Sequence, residues 1–193
     1  IMKKILFLLV VCSLVFAGCK KKGCTDPAAN NYDPKAKQED GSCEFPPGIG
    51  DSYQGGIIFY QDGNGGGLIA APTDQSTGAE WGCYGTGIAG ADGTAVGTGN
   101  QNTLDIEAGC PNAGTAADIC ANLTLGGYSD WFLPSKDELN LMYENLHSQG
   151  VGGFSNSHYW SSTEYDGFNA WLQNFTDGNH VPGGKVHGYG FEL

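Results

Sequence analysis

Four histidines, His147, His158, His180 and His187, are the side chains of this 193-residue chain best suited to proton transfer near neutral pH. None stands in a frame that would use it. There is no H-E-x-x-H pair to hold zinc and no G-x-S-x-G elbow to present a serine nucleophile. Glu164 and Asp166 suggest the paired carboxylates of a glycosidase, but two acids beside a glycine turn are common for local reasons. Cys24, Cys43, Cys83, Cys110 and Cys120 show no C-x-x-C spacing, so zinc is not expected. Gly85-Thr86-Gly87-Ile88-Ala89-Gly90 matches G-x-G-x-x-G formally, yet its flanks are Gly, Ala and Asp rather than a strand and a helix. Gly183-Gly184-Lys185 is followed by Val186, not by the Ser or Thr of a phosphate-binding loop. Without a nucleophile–base frame the chain is not expected to be an enzyme, and no cofactor is expected beyond a structural calcium.

Binding chemistry has a better candidate in the run FNAWLQNF. Strand alternation puts Asn169, Trp171 and Gln173 on one face and Phe168, Ala170 and Leu172 on the other. A face of Asn, Trp and Gln suits a polyol, because amides hydrogen-bond hydroxyls while an indole covers C–H groups. Glu164, Tyr165, Asp177, Asn179 and His180 fall in loops that border this face. The same alternation also describes an ordinary solvated sheet surface, a reading of equal weight. Trp131, Leu133, Tyr159 and Trp160 are read as core.

The elements that must position these residues are legible in outline. GGIIFY and LIAAP, separated by a Gly/Asn-rich turn, read as a hairpin. Asp62-Gly63-Asn64 begins like an EF-hand loop, but Thr73 at the twelfth position cannot replace the bidentate glutamate. Residues 79–102 read as one long glycine-rich loop. Two helices are expected. The first, Thr115–Leu123, puts Ala116, Ile119, Cys120 and Leu123 on one face. In the second, Ser135 and Glu138 form a capping box, Leu139, Met142 and Leu146 a stripe, and Gly150 the stop. From His158 onward, short β-type runs alternate with turns at Asp166-Gly167, Asp177-Gly178 and Gly183-Gly184. This gives an α+β domain.

Composition excludes one large class of partner. The chain has 9 basic and 21 acidic residues and no arginine, so a basic patch for nucleic acid is not available. Lys3 and Lys4, an apolar run from Ile5 to Phe16 and Ala17-Gly18-Cys19 have the form of a lipoprotein signal peptide. The run is shorter than the roughly 20 residues of a membrane-spanning helix. Residues 1–18 are therefore expected to be removed and Cys19 acylated. Anchoring would be through lipid, in the outer membrane, facing the cell surface or the periplasm.

Residues 19–48 form a tether. Within it GCTDPAANNYDPKAKQEDGSC, residues 23–43, resembles a short repeat of Bacteroidota surface proteins. Its turns at Asp26-Pro27, Asp33-Pro34 and Asp40-Gly41 suggest a loop closed by a Cys24–Cys43 disulfide. Asp26, Asp33 and Asp40 are weak calcium candidates, and a solvated spacer is the preferred reading. Cys110 with Cys120 is the next pairing, leaving Cys83 free; spacing leaves Cys83 with Cys110 or Cys120 open. Residues 49–193 form the main domain.

GGIIFY, NTLDI, GGYSDWFLPSKDEL, YWSSTEY and AWLQNF, in that order, resemble the C-terminal domain of the Legionella collagen-like adhesin and related domains of Bacteroidota lipoproteins. The resemblance covers about residues 49–185. It implies a C-type-lectin-like fold, two helices beside a twisted antiparallel sheet, that binds polysaccharides or other surface ligands without chemistry. The ending KVHGYGFEL lacks the two arginines usual in the last strand of that family, and the calcium-lectin signatures E-P-N, Q-P-D and W-N-D are absent. The function expected is a lipid-anchored envelope protein whose domain binds a glycan or surface protein. The alternative is a structural or protein-binding envelope component, including a diversified receptor of the retroelement type.

Overall fold

A computed structural model describes residues 20–186 and the backbone of residues 189–192. Cys19, the signal segment and His187 lie outside the described residues. The chain divides into two compact units, Ile1–Pro46 and Pro47–Leu193.

In the first unit the Cys24–Cys43 disulfide is present, with Cys24 buried. Short polar side chains close its turns by accepting backbone N–H bonds two residues on, as Asx turns do. Asn31 spans the knot, its Oδ1 accepting from Glu44 N–H at 2.9 Å and its amide donating to the Ser42 carbonyl. The Glu39 carboxylate accepts from Thr25 N–H and Oγ1 and from Gly41 N–H, and these donors hold it below the usual carboxylate range.

The second unit is α+β. Strands β1 (Ser52–Tyr53), β2 (Gly56–Gln61) and β3 (Gly67–Ala70) form one antiparallel sheet in that order. The β2–β3 turn is held by Asp62, whose Oδ1 accepts from Asn64 N–H and Gly66 N–H. Strand β4 (Asp74–Ala79) pairs antiparallel with the last strand, β8 (Tyr189–Glu192). The third sheet is β5 (His158–Glu164), β6 (Asn169–Asn174) and β7 (His180–Gly184), antiparallel and in sequence order. Gly183-Gly184, expected as a turn, is inside β7. A Cβ at Gly183 would lie 2.4 Å from Leu172 Cδ2, so glycine there admits the core beneath the strand.

Among the described residues three helices are present where two were expected: α1 (Gly99–Gly109), α2 (Ala116–Ala121) and α3 (Lys136–Asn145), the last extended by a 3₁₀ turn at His147–Gln149. Helix α1 begins inside the segment read as loop. Its buried face is mostly polar, Asn102, Thr103 and Ile106, which hides it from an apolar periodicity search. Asn102 closes on Gly93 from both amide atoms, and Thr103 Oγ1 accepts from Leu133 N–H at 3.0 Å. Helix α3 follows expectation: the Ser135–Glu138 capping box forms, Leu139, Met142 and Leu146 are buried, and Gly150 ends it with φ 71°.

Two apolar clusters result. Trp81, Ile106, Leu133, Trp160 and Leu172 centre one, under α1 and α2. Phe59, Leu139, Met142, Leu146, Tyr159 and Phe175 form the other, between α3 and β2–β3. Leu133, Tyr159 and Trp160 are core as expected, whereas Trp131 is half-buried and donates to the Leu125 carbonyl at 3.4 Å.

The second disulfide corrects the expected pairing. Cys83 joins Cys110, and Cys120 is a free, buried thiol. Cys120 faces the core from α2, where its Sγ donates to the Ala116 carbonyl and burial pushes the thiol's pKa well up. Cys83–Cys110 instead fastens the glycine-rich loop to the end of α1. With α1 not read as a helix, that proximity was not visible in the sequence.

Candidate functional site

The eight residues expected around one ligand face are placed in four environments. Tyr165, Asn169 and Trp171 lie together at the β5–β6 end of the third sheet. Gln173 and His180 lie further along, under α3. Asp177 and Asn179 form the β6–β7 turn at the opposite end, where Asp177 Oδ1 accepts from Asn179 N–H. Glu164 leaves the face altogether.

Gln173 does not face solvent. It is fully buried, and its Nε2 donates to Asn140 Oδ1 at 2.9 Å and to the Gly178 carbonyl at 3.0 Å. The alternation was read correctly, but α3 covers that half of the strand. His180, half-buried beside it, has Nε2 3.3 Å from the Lys136 carbonyl. Burial, then the nearby Lys136 charge, lowers its pKa and favours the neutral ring.

Glu164 is a structural acid. Its Oε1 accepts from Ile88 N–H at 2.8 Å and from Lys185 Nζ at 2.5 Å. Lys185 is fully buried; its ammonium also donates to the Thr86 carbonyl at 2.8 Å and sits 4.6 Å from the centre of the Trp81 ring. The pair holds the glycine-rich loop down through one donor and one acceptor of its backbone. The sequence offered little signal for Lys185, which directly follows β7 beside Gly183-Gly184.

The surface that remains is aromatic. Trp171 is half-buried, its ring in an edge-to-face contact with Tyr165 at 5.0 Å and the Lys136 ammonium 4.0 Å from its centre. The tight turn beside it is built by Asp166, whose Oδ1 accepts from the N–H groups of Phe168 and Asn169 and from Asn169 Nδ2. The Phe168 N–H, first among these, holds the Asp166 carboxyl below its ordinary range. On the other side of the turn Phe168 meets Tyr84 edge-to-face at 5.2 Å. Tyr84, Tyr165 and Phe168 are each more than half exposed. Alternation put Phe168 on the face opposite Trp171, and Tyr84 lies in a glycine-rich stretch with no pattern to mark it.

Metal candidates resolve differently. Asp26 and Asp40 each accept a backbone N–H two residues on, and Asp33 does the same while pairing with Lys21. Among the described residues the one cluster with metal-ligand geometry is Cys24, Glu39 and Cys43, and its two sulfurs are already joined to each other.

An α+β domain with an aromatic surface around one hairpin turn is the class that fold and site define. The pattern of the Lcl C-terminal domain family matches residues 71–191, and the chain belongs to that family. The domain is adhesin-like. No curated protein matches the chain.

Proposed function

We propose that this is a lipid-anchored envelope protein whose domain, of the C-type-lectin-like kind, holds a glycan or another cell-surface ligand without chemistry. The observation that carries this reading is the half-exposed Trp171, edge-on to Tyr165, with Asn169 two residues before it at the start of β6. An indole and a phenol offer flat apolar area to sugar C–H groups, while an amide and a phenolic hydroxyl satisfy sugar hydroxyls. The site needs no metal for this mode of binding. Anchoring through Cys19 in the outer membrane rests on the signal-like N-terminus, and the Cys24–Cys43 and Cys83–Cys110 disulfides fit an oxidising compartment such as the cell envelope.

The mature protein on a glycan array tests the ligand class. Retained binding by wild type and loss in Trp171→Ala, with unchanged melting, is the result expected. A folded protein that binds no polysaccharide would transfer the reading to a protein partner or a structural role. Labelling with radioactive palmitate, lost in Cys19→Ala, tests the anchor.

A further inference from the structure

The Trp171 surface does not end at the hairpin turn. Tyr165 leaves the turn toward Trp171, and Phe168, three residues on, leaves it toward Tyr84. Two edge-to-face aromatic pairs therefore stand on the two sides of the Asp166–Gly167 tip, with three of the four rings more than half exposed. Tyr165 and Phe168 are three residues apart in one hairpin loop, closed where Tyr165 N–H donates to the Asn169 carbonyl at 3.0 Å, so the two pairs are neighbours. The turn between them is firmly set. Asp166 takes three donors, and Gly85 N–H donates to the Gly167 carbonyl at 2.8 Å. The Cys83–Cys110 disulfide and the Lys185 ammonium fix the loop that carries Tyr84.

Charge limits what can lie across this surface. After residue 46 the chain has two lysines, Lys136 and Lys185, against sixteen acidic residues. Lys185 is spent on Glu164, and Lys136 rests on the Trp171 ring. Asp166, exposed and ionised, sits between the two aromatic pairs. A sulfated or uronate chain laid over the turn would meet that carboxylate and the surrounding acidic field, with one ammonium in reach. Uncharged hydroxyls have no such conflict, and Asp166 Oδ2, engaged by Asn169 Nδ2 alone at 3.2 Å, can accept from one.

Resting on the proposed glycan-binding role, we infer that the ligand is an uncharged polysaccharide chain running across the Asp166–Gly167 turn, from the Tyr165–Trp171 pair to the Tyr84–Phe168 pair. Two subsites on either side of a tip favour an internal stretch of chain over a single terminal sugar.

Titration of the mature protein against dextran, laminarin, galactomannan and xylan, with dextran sulfate and alginate as charged counterparts, tests this. The expected result is binding to at least one uncharged chain, weaker for its monosaccharide. Tyr84→Ala and Phe168→Ala should each weaken it about three- to tenfold, as loss of one aromatic contact does. Both positions are exposed, so these variants should melt with wild type. Tighter binding of dextran sulfate or alginate than of any uncharged chain would overturn the inference. So would Tyr84 and Phe168 variants that bind like wild type while Trp171→Ala does not, an outcome that leaves the proposed function standing. Wild type that binds no polysaccharide at all would overturn the inference together with the glycan reading, leaving a protein partner or a structural role.

Discussion

Lys185 and Glu164 meet beneath the glycine-rich loop, the ammonium 2.5 Å from Glu164 Oε1, with Lys185 wholly removed from solvent. This contact sets the loop on the sheet, because the same two groups also hold Thr86 O and Ile88 N. Removing one partner leaves a buried charge without its counter-ion, at about 3–5 kcal/mol. Lys185→Ala should accordingly lower the melting temperature sharply. The double variant Glu164→Gln/Lys185→Met should recover part of the loss, since it leaves no unpaired charge. A single variant that melts with wild type would remove the pair from the account of stability.

The Cys83–Cys110 bond predicts a specific chemistry map. Non-reducing digestion should yield one linked peptide containing Cys83 and Cys110, and none linking Cys120. Native protein should resist thiol alkylation, and unfolding without reductant should expose one reactive thiol after residue 46. Cys83→Ala/Cys110→Ala should destabilise by about 2–4 kcal/mol, the usual range for losing one bridge. A Cys110–Cys120 peptide would contradict the structure directly.

Helix α1 begins where α3 is capped. Glu138 is buried and accepts from Ser135 N–H and from Gly97 N–H, both at 2.7 Å. A Cβ at Gly99 would lie 2.2 Å from Glu138 Oε2 and 2.8 Å from Ser135 N, so this helix start tolerates no side chain. Ser135→Ala should cost about 1 kcal/mol as a lost cap. Glu138→Ala should cost about 1–3 kcal/mol more, because the buried Ser135 N–H is orphaned and the part-buried Gly97 N–H loses its acceptor. Denaturant titration of both variants measures the difference, and equal midpoints would contradict the shared anchor.

Two carboxyls shift in opposite directions with opposite consequences for pH. Desolvation raises Asp74 to about 6 in the folded state, so the native protein binds the extra proton between about pH 4 and 6. Stability from this group therefore falls as pH rises through that window and stays lower above it. Asp74 remains exposed at its surface, so water screens the effect to about 1 kcal/mol or less. Asp74→Asn should be slightly more stable than wild type at pH 7 and indistinguishable near pH 4. Asp166, held low by the Phe168 N–H, works the other way: its stabilisation is present at neutral pH and is lost as pH falls through its lowered value. Melting curves of the Asp74 and Asp166 amide variants across pH 3–8 separate the two, and parallel profiles would contradict the assignment.

The parts of the fold written in local sequence were readable from it. The capping box at Ser135 and Glu138, the Leu139–Met142–Leu146 stripe and the Asp62 turn follow from residues within a few positions of one another, and Cys24 and Cys43 bracket one compact run of turn residues 19 positions long. What failed depends on distant partners. Helix α1 buries Asn102 and Thr103 against Gly93 and Leu133, so neither apolar period nor cap announces it. Gln173 alternates correctly with Trp171 but lies under Asn140 of a helix thirty-odd residues earlier in the chain. Glu164 looked like a surface acid because its cation, Lys185, is 21 residues away. At the site, Trp171, Tyr165 and Asn169 were legible, whereas Tyr84 joins Phe168 only through the folding of a patternless loop.

The central claim is that the Trp171–Tyr165 surface holds a glycan. The most direct measurement is calorimetric titration of the tightest-binding array polysaccharide into wild type, Trp171→Ala and Trp171→Phe, with melting curves run beside it. The account predicts saturable binding by wild type, partial retention by Trp171→Phe and loss in Trp171→Ala at unchanged fold. Wild-type affinity in a folded Trp171→Ala protein would contradict it.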